Sequence, residues 1–136
     1  MAENVTVNFF NVNGKRPVGP VSHAARVGRL LFTSGQTGRN HDTGRLVEGG
    51  FGRQMRQALR NTEKILREGG TNFNQVVKMT VLLADKKFYE EMNAIYGEYF
   101  SSDPPARAAY AAAGLPSDAL VEIEAVAVIP DPQSKY

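Results

Sequence analysis

The 136-residue chain has no cysteine, which removes a disulfide framework, a thiolate metal site and a catalytic thiol together. It also lacks an excess of either charge: sixteen Lys and Arg stand against fourteen Asp and Glu, a formal charge of +2, with the two signs interspersed. A dedicated nucleic-acid binder usually carries a marked basic excess, so nucleic acid is not an expected partner. No uninterrupted apolar run approaches the roughly 20 residues that span a bilayer. The opening MAENVTVNFF lacks the basic-then-apolar pattern of a signal peptide. A cytoplasmic protein without membrane contact is the expectation. Histidine is scarce as well. His23 and His41 have no second ligand at a spacing such as HxxxH, so no metal site is expected and both read as solvated loop residues. Ser34-Gly35-Gln36 has no GxSxG elbow around it, and Gly49, Gly50 and Gly52 complete neither a GxxxxGK nor a GxGxxG motif.

What is present fits one domain over residues 1–136, with a core over about 19–129 and a polar tail over 130–136 that frays. The first part of the chain has short apolar runs broken by Gly, Pro and Asn. Val5, Val7 and Phe9 alternate with Thr6, Asn8 and Phe10 as an edge strand does, ending at the Asn13-Gly14 turn. Arg29 to Ser34 reads as a second strand ending at Gly35, and Asp42-Thr43-Gly44 as a tight turn. From Gly52 to Glu68, Met55, Ala58, Leu59, Thr62, Ile65 and Leu66 recur at helical spacing, and Gly69-Gly70 stops the helix. VVKMTVLL (Val76–Leu83) is short and β-branched, hence a buried strand. Asp85 can cap a second helix, with Phe88, Met92, Ile95, Tyr96, Tyr99 and Phe100 as its apolar face, until Pro104-Pro105. Arg107–Ala113 and Val121–Ile129 read as two closing strands. This order implies a mixed sheet with two helices on one face, and both rows of the last strand are partly apolar. The face that the helices leave bare then needs cover from other chains, so a closed homo-oligomer is expected.

Two groups of residues can carry chemistry. Arg107 sits among small residues (Ala108, Ala109, Ala111, Ala112, Ala113) that leave room for a ligand. Its planar guanidinium can bind a carboxylate through two parallel hydrogen bonds. The alternative is a surface arginine or a structural ion pair. Glu122 and Glu124 share one face of their strand and are flanked by apolar residues, so either needs a partner, water or a subunit boundary. One of them can order or activate a water as a general base; an ion pair with an arginine across a boundary is the structural alternative.

The segments FTSGQTG (Phe32–Gly38), Gly69-Gly70, VVKMTVLLAD (Val76–Asp85), MNAIYGEYF (Met92–Phe100), PPARAAYAAAGLP (Pro104–Pro116) and VEIEAVAV (Val121–Val128) together resemble the Rid family. This is the YjgF-like reactive intermediate deaminase group, often labelled endoribonuclease L-PSP. The resemblance implies an α+β, chorismate-mutase-like fold and a homotrimer whose sheets face inward, with clefts at the subunit boundaries. It further implies that Arg107 binds the carboxylate of a 2-imino or enamine acid and that Glu122 positions the hydrolytic water, yielding a 2-oxo acid and ammonia. Backbone amides of Gly35 and Ala109 would help hold the carboxylate, with Ser34 and Asn93 near the cleft. No cofactor is implied, since an imine carbon is already electrophilic. Two departures stand out: Val21 follows Gly19-Pro20 where many deaminase members have tyrosine, and Ala109 occupies a position that is often cysteine. The competing expectations are a pathway-specific deaminase of the 2-aminomuconate type and a non-catalytic trimer that binds small carboxylates. Ribonuclease activity is the least favoured, given the balanced charge and the lack of a His pair.

Overall fold

The computed structural model describes residues 5–131. Its elements run β1 (Val7–Phe10), β2 (Ala24–Val27), β3 (Leu30–Thr33), β4 (Gln36–Thr37), β5 (Arg39–Asn40) and β6 (Arg45–Leu46), then α1 (Phe51–Glu68), β7 (Val76–Leu83), α2 (Tyr89–Tyr99), β8 (Ala106–Ala111) and β9 (Val121–Val128). The main sheet has the order β1-β2-β3-β9-β7-β8, with β4 also paired to β9, while β5 and β6 form a separate hairpin. The pairs are antiparallel except β7 with β8, which α2 joins as a crossover. A mixed α+β sheet with two helices is therefore as expected. The strand β2 has no counterpart in the sequence reading, because Ala-Ala-Arg-Val offers only a short, weak alternation. The fraying expected of the tail falls largely on residues 132–136, outside the described residues.

Alternation along β9 decides which side of the sheet is covered. Val121, Ile123, Ala125 and Ala127 are buried under α1 and α2, together with Met79, Val81 and Leu83 of β7. The other row, Glu122, Glu124, Val126 and Val128, faces away from the helices. Strand register extends that bare face across six strands through Phe9, Ala25, Phe32, Val126, Lys78 and Ala106. Phe9 is 67% exposed and Phe32 41%.

Two buried amides and one glycine seat α1 where it matters for β4. Asn61 donates to the carbonyls of Thr37 (3.0 Å) and Arg39 (2.8 Å), and the Gln54 carbonyl oxygen accepts from Leu120 N (2.9 Å). At Gly38 a Cβ would collide with the backbone of Gln54, so only glycine lets helix and strand approach this closely. At the other end of α1, Gly70 adopts φ 85, the left-handed turn expected at a helix stop.

Candidate active site

Arg107 is held on the helix-covered side. Its register partner in β7 is the buried Met79, so its side chain rises toward α2. There the guanidinium carbon lies 4.7 Å from the centre of the Tyr96 ring and 5.9 Å from that of Tyr89. Its nitrogens donate to Tyr89 Oη (3.3 Å) and reach Met92 Sδ (3.6 Å). Stacking of this kind contributes about 0.5–2 kcal/mol and leaves the edge of the guanidinium plane for a carboxylate. No carboxylate among the described residues pairs with it, and it is half-buried, so the structural ion-pair alternative finds no partner among them.

The same strand supplies a backbone donor. β8 forms the sheet edge, and just beyond it Ala112 N bonds Leu83 O at 2.8 Å, toward β7. Strand alternation then turns the N–H of Ala109, three residues earlier, to the free edge on which Arg107 also lies. Asn93 is exposed on α2, four residues after Tyr89 and three before Tyr96, on the flank that carries the two tyrosines.

Tyr96 and Tyr89 escaped the sequence reading. The spacing of Tyr96 with Met92 and Phe100 fits a core stripe, and Tyr96 is indeed buried. The only available signal was the polar tip of a tyrosine within that stripe. Its hydroxyl is buried without a hydrogen-bond partner among the described residues. Burial pushes its pKa to about 12 against the opposing pull of Arg107, so the hydroxyl stays a neutral donor.

Glu122 occupies the opposite face. In β7 it pairs with Leu82, three residues along from Met79, and Thr37 of β4 flanks it on the other side. Between Phe32, opposite Val126, and Gln36, opposite Ile123, the three residues Thr33, Ser34 and Gly35 oppose only Glu124 and Ala125. This is a β-bulge, a device that re-aims backbone beside functional sites. It brings Gly35 onto Glu122 so closely that a Cβ at position 35 would collide with Oε1 of the carboxylate. Thr33 Oγ1 fills the broken ladder by accepting from Ala125 N (3.0 Å). Ser34 Oγ donates to Ser22 O at 2.6 Å, leaving that oxygen free only as an acceptor. Partial burial, and secondarily the neighbouring Glu124, raise the pKa of Glu122, as suits a group that takes a proton from water. Of the two glutamates, Glu122 is half-buried against Gly35 while Glu124 is exposed.

Beside Ser34 the bare face opens into a cavity of about 470 Å³, lined by Phe9, Arg16, Val21, Ser22, Phe32 and Ser34 among others. Val21 thus lies where its side chain bears on what the cavity can hold.

Of the two histidines, His41 is an exposed turn residue as expected, and His23 needs correction. His23 is buried, not solvated: its Nδ1 accepts from Val12 N and its own N–H donates to Asn11 Oδ1, both at 3.0 Å. The fold also brings it to His41, ring centres 6.1 Å apart, a pair no spacing announced. Burial lowers both pKa values, with His41 adding to the effect on His23 and Arg39 and Lys64 to that on His41, which favours the neutral rings. Among the described residues no three His, Asp or Glu side chains converge as metal ligands.

These features coincide with a known grouping. The sequence profile described as Endoribonuclease L-PSP matches residues 13–129. The chain belongs to this family, the Rid family of the resemblance. The 2-iminobutanoate/2-iminopropanoate deaminase of Homo sapiens is 48% identical over 111 residues, covering 82% of this chain and 81% of that protein. Among solved structures, RidA from the Antarctic bacterium Psychrobacter has 35% identity and a TM-score of 0.82, covering 89% of this chain and 98% of its own. The YjgF gene product of E. coli gives 33% and 0.81, covering 90% and 98%.

Proposed function

We propose that this Rid-family chain hydrolyses reactive 2-imino and enamine acids to 2-oxo acids and ammonia, in clefts between the subunits of a cytoplasmic homotrimer with the chorismate-mutase-like arrangement. The observation that carries this reading is that Arg107 and Glu122 lie on opposite faces of one sheet. A single small molecule cannot touch both within one chain, whereas Arg107 of one copy and Glu122 of the next can meet across a boundary. The apolar row on the bare face, from Phe9 to Val126, is the surface such an assembly would cover. The activity itself is supported by the human deaminase relative.

The chemistry needs no cofactor. Arg107 and the Ala109 amide hold the carboxylate from one copy; Gly35, Ser34 and Glu122 wall the reacting carbon from the other. With the imine nitrogen protonated, Glu122 accepts a proton from water as the water oxygen adds to C2, giving a neutral amino alcohol. Glu122 returns that proton to the nitrogen, and the C–N bond breaks as the Glu122 carboxylate takes the hydroxyl proton, leaving the 2-oxo acid and ammonia. Asn93 lies on the flank of α2 from which an amide can reach the substrate edge.

The test is to generate 2-iminobutyrate with a pyridoxal-phosphate dehydratase and follow 2-oxobutyrate. The wild-type protein accelerates its release. Arg107→Ala lowers kcat/KM by about 100- to 10,000-fold, the loss of two charge-assisted hydrogen bonds. No acceleration over spontaneous hydrolysis would overturn the deaminase reading in favour of a carboxylate-binding trimer. Mixing unfolded Arg107→Ala and Glu122→Gln chains and refolding them together restores activity if the two residues act from different copies. If they act within one chain, the mixture stays inactive.

A further inference from the structure

The cavity beside Ser34 contains a cation that the hydrolytic chemistry does not use. Arg16 lines it together with Val21, Phe32 and Ser34. Arg16 is the only charged one among the described residues of the wall, beside Phe9, Pro20, Val21, Phe32, alanines and small hydroxyl residues. Among the described residues Arg16 makes no hydrogen bond or ion pair. Arg16 is exposed to solvent at this hollow, and a guanidinium free of protein partners can bind a planar anion in a bidentate fashion. Val21 is a short side chain at the cavity's rim, and about 470 Å³ exceeds what a side chain of two carbons needs.

The cavity neighbours the proposed reacting centre in sequence: Ser34 belongs to its wall, and the next residue, Gly35, lies against Glu122. A substrate held with its carboxylate at Arg107 of the neighbouring copy and its C2 at Glu122 has its side chain left to extend past Ser34 toward Val21. Arg16 lines the same cavity as Ser34 and Val21. We infer that Arg16 is a specificity residue and that the preferred substrates are 2-imino dicarboxylates, with the second carboxylate bound by Arg16. This deepens the deaminase reading and rests on it for the placement of C2. Hydrolysis is balanced as before: water adds, the C–N bond breaks, and ammonia leaves a 2-oxo dicarboxylate. The class of reaction that supplies such a substrate is the dehydrogenation of an acidic 2-amino acid.

The experiment compares 2-iminoglutarate with 2-iminobutyrate, each made in place by an amino-acid oxidase with catalase present. The trimeric wild-type protein is tested beside Arg16→Gln, Arg16→Lys and Val21→Tyr. Wild type shows the higher kcat/KM on 2-iminoglutarate. Arg16→Gln lowers the ratio of the two values by about 10- to 100-fold, the range of one charge-assisted pair. Arg16→Lys retains part of the ratio, and Val21→Tyr lowers it by filling the hollow. A wild-type preference for 2-iminobutyrate, or an unchanged ratio in Arg16→Gln, overturns the proposal. So does an equal loss on both substrates accompanied by a smaller particle mass, which would make Arg16 an assembly contact. If wild type hydrolyses neither imine, the deaminase reading fails, and calorimetry with 2-oxoglutarate and 2-oxobutyrate decides the Arg16 site separately. Tighter binding of 2-oxoglutarate that Arg16→Gln abolishes upholds it; equal or absent binding removes it.

Discussion

The two faces of the central sheet are built on opposite terms. On the covered face, Met79, Val81, Val121 and Ile123 are essentially sealed, and Arg107 is braced there by Tyr89, Met92 and Tyr96. On the bare face, Phe9, Leu30 and Phe32 stand open, and the carboxylate of Glu122 is braced by little except a missing side chain at Gly35. The proposed binding group is therefore pre-organised by packing within the chain. The proposed proton acceptor sits on the face that the helices leave bare. A fold of this kind separates a stable, self-contained half-site from one that becomes dry only on assembly, and the proposed reaction needs both.

Charging the bare face breaks the contrast most severely. Phe32→Glu is expected to reduce the light-scattering mass from the proposed trimer to one chain and to abolish deaminase activity, while circular dichroism keeps the α+β signature. Retention of a trimer by this variant would show that the row through Phe32 is not the assembly surface. Next in size is Gly35→Ala. Because the added methyl must displace the Glu122 carboxylate, kcat/KM should fall by about 100-fold, as expected for misplacement on the order of 1 Å. The fold survives, since Gly35 has an ordinary backbone conformation. Gly38→Ala makes the control: its methyl meets the backbone of Gln54, so it lowers Tm instead.

A smaller effect is expected from pH. The raised pKa of Glu122 means that its carboxyl favours the folded state fully below the ordinary carboxylate range, and that this contribution is lost as pH rises through the folded pKa. Glu122→Gln removes that loss, so near pH 7 it raises Tm by about 1–3 °C while abolishing turnover. In the wild type, the acidic limb of kcat/KM should lie above the usual glutamate range; a limb at ordinary glutamate pH would remove Glu122 as the base. The smallest expected change is Tyr96→Phe. It deletes a buried hydroxyl without a partner but keeps the ring beneath Arg107, so stability holds or rises by about 1 kcal/mol and kcat/KM stays within about threefold. Tyr96→Leu, which removes the ring, should raise KM more than it lowers kcat. A large loss in Tyr96→Phe would assign the hydroxyl to the substrate.

Periodicity alone made much of this legible. Met55 to Leu66 at helical spacing, the β-branched run Val76–Leu83 and the glycine stop at Gly69-Gly70 each depend on contacts within a few residues, and each appears close to where it was expected. Arg107 and Glu122 stood out because an arginine among alanines and an acid inside an apolar strand are locally anomalous. Tyr96 did not stand out, since the same spacing serves a core stripe. The bulge at Ser34-Gly35 and the meeting of His23 with His41 were also hidden, because each depends on register between segments distant in the chain. Arg16, in a loop of irregular composition, carried no pattern at all.

The sequence by itself thus determined both helices and most of the long strands, the candidate reactive side chains and, through shared motifs, the family. Only the tertiary structure decided that Arg107 and Glu122 point to opposite sides of one sheet. That outcome follows from the pairing of Arg107 with Met79 and of Glu122 with Leu82, and strand register is set by long-range packing that no local run of residues encodes.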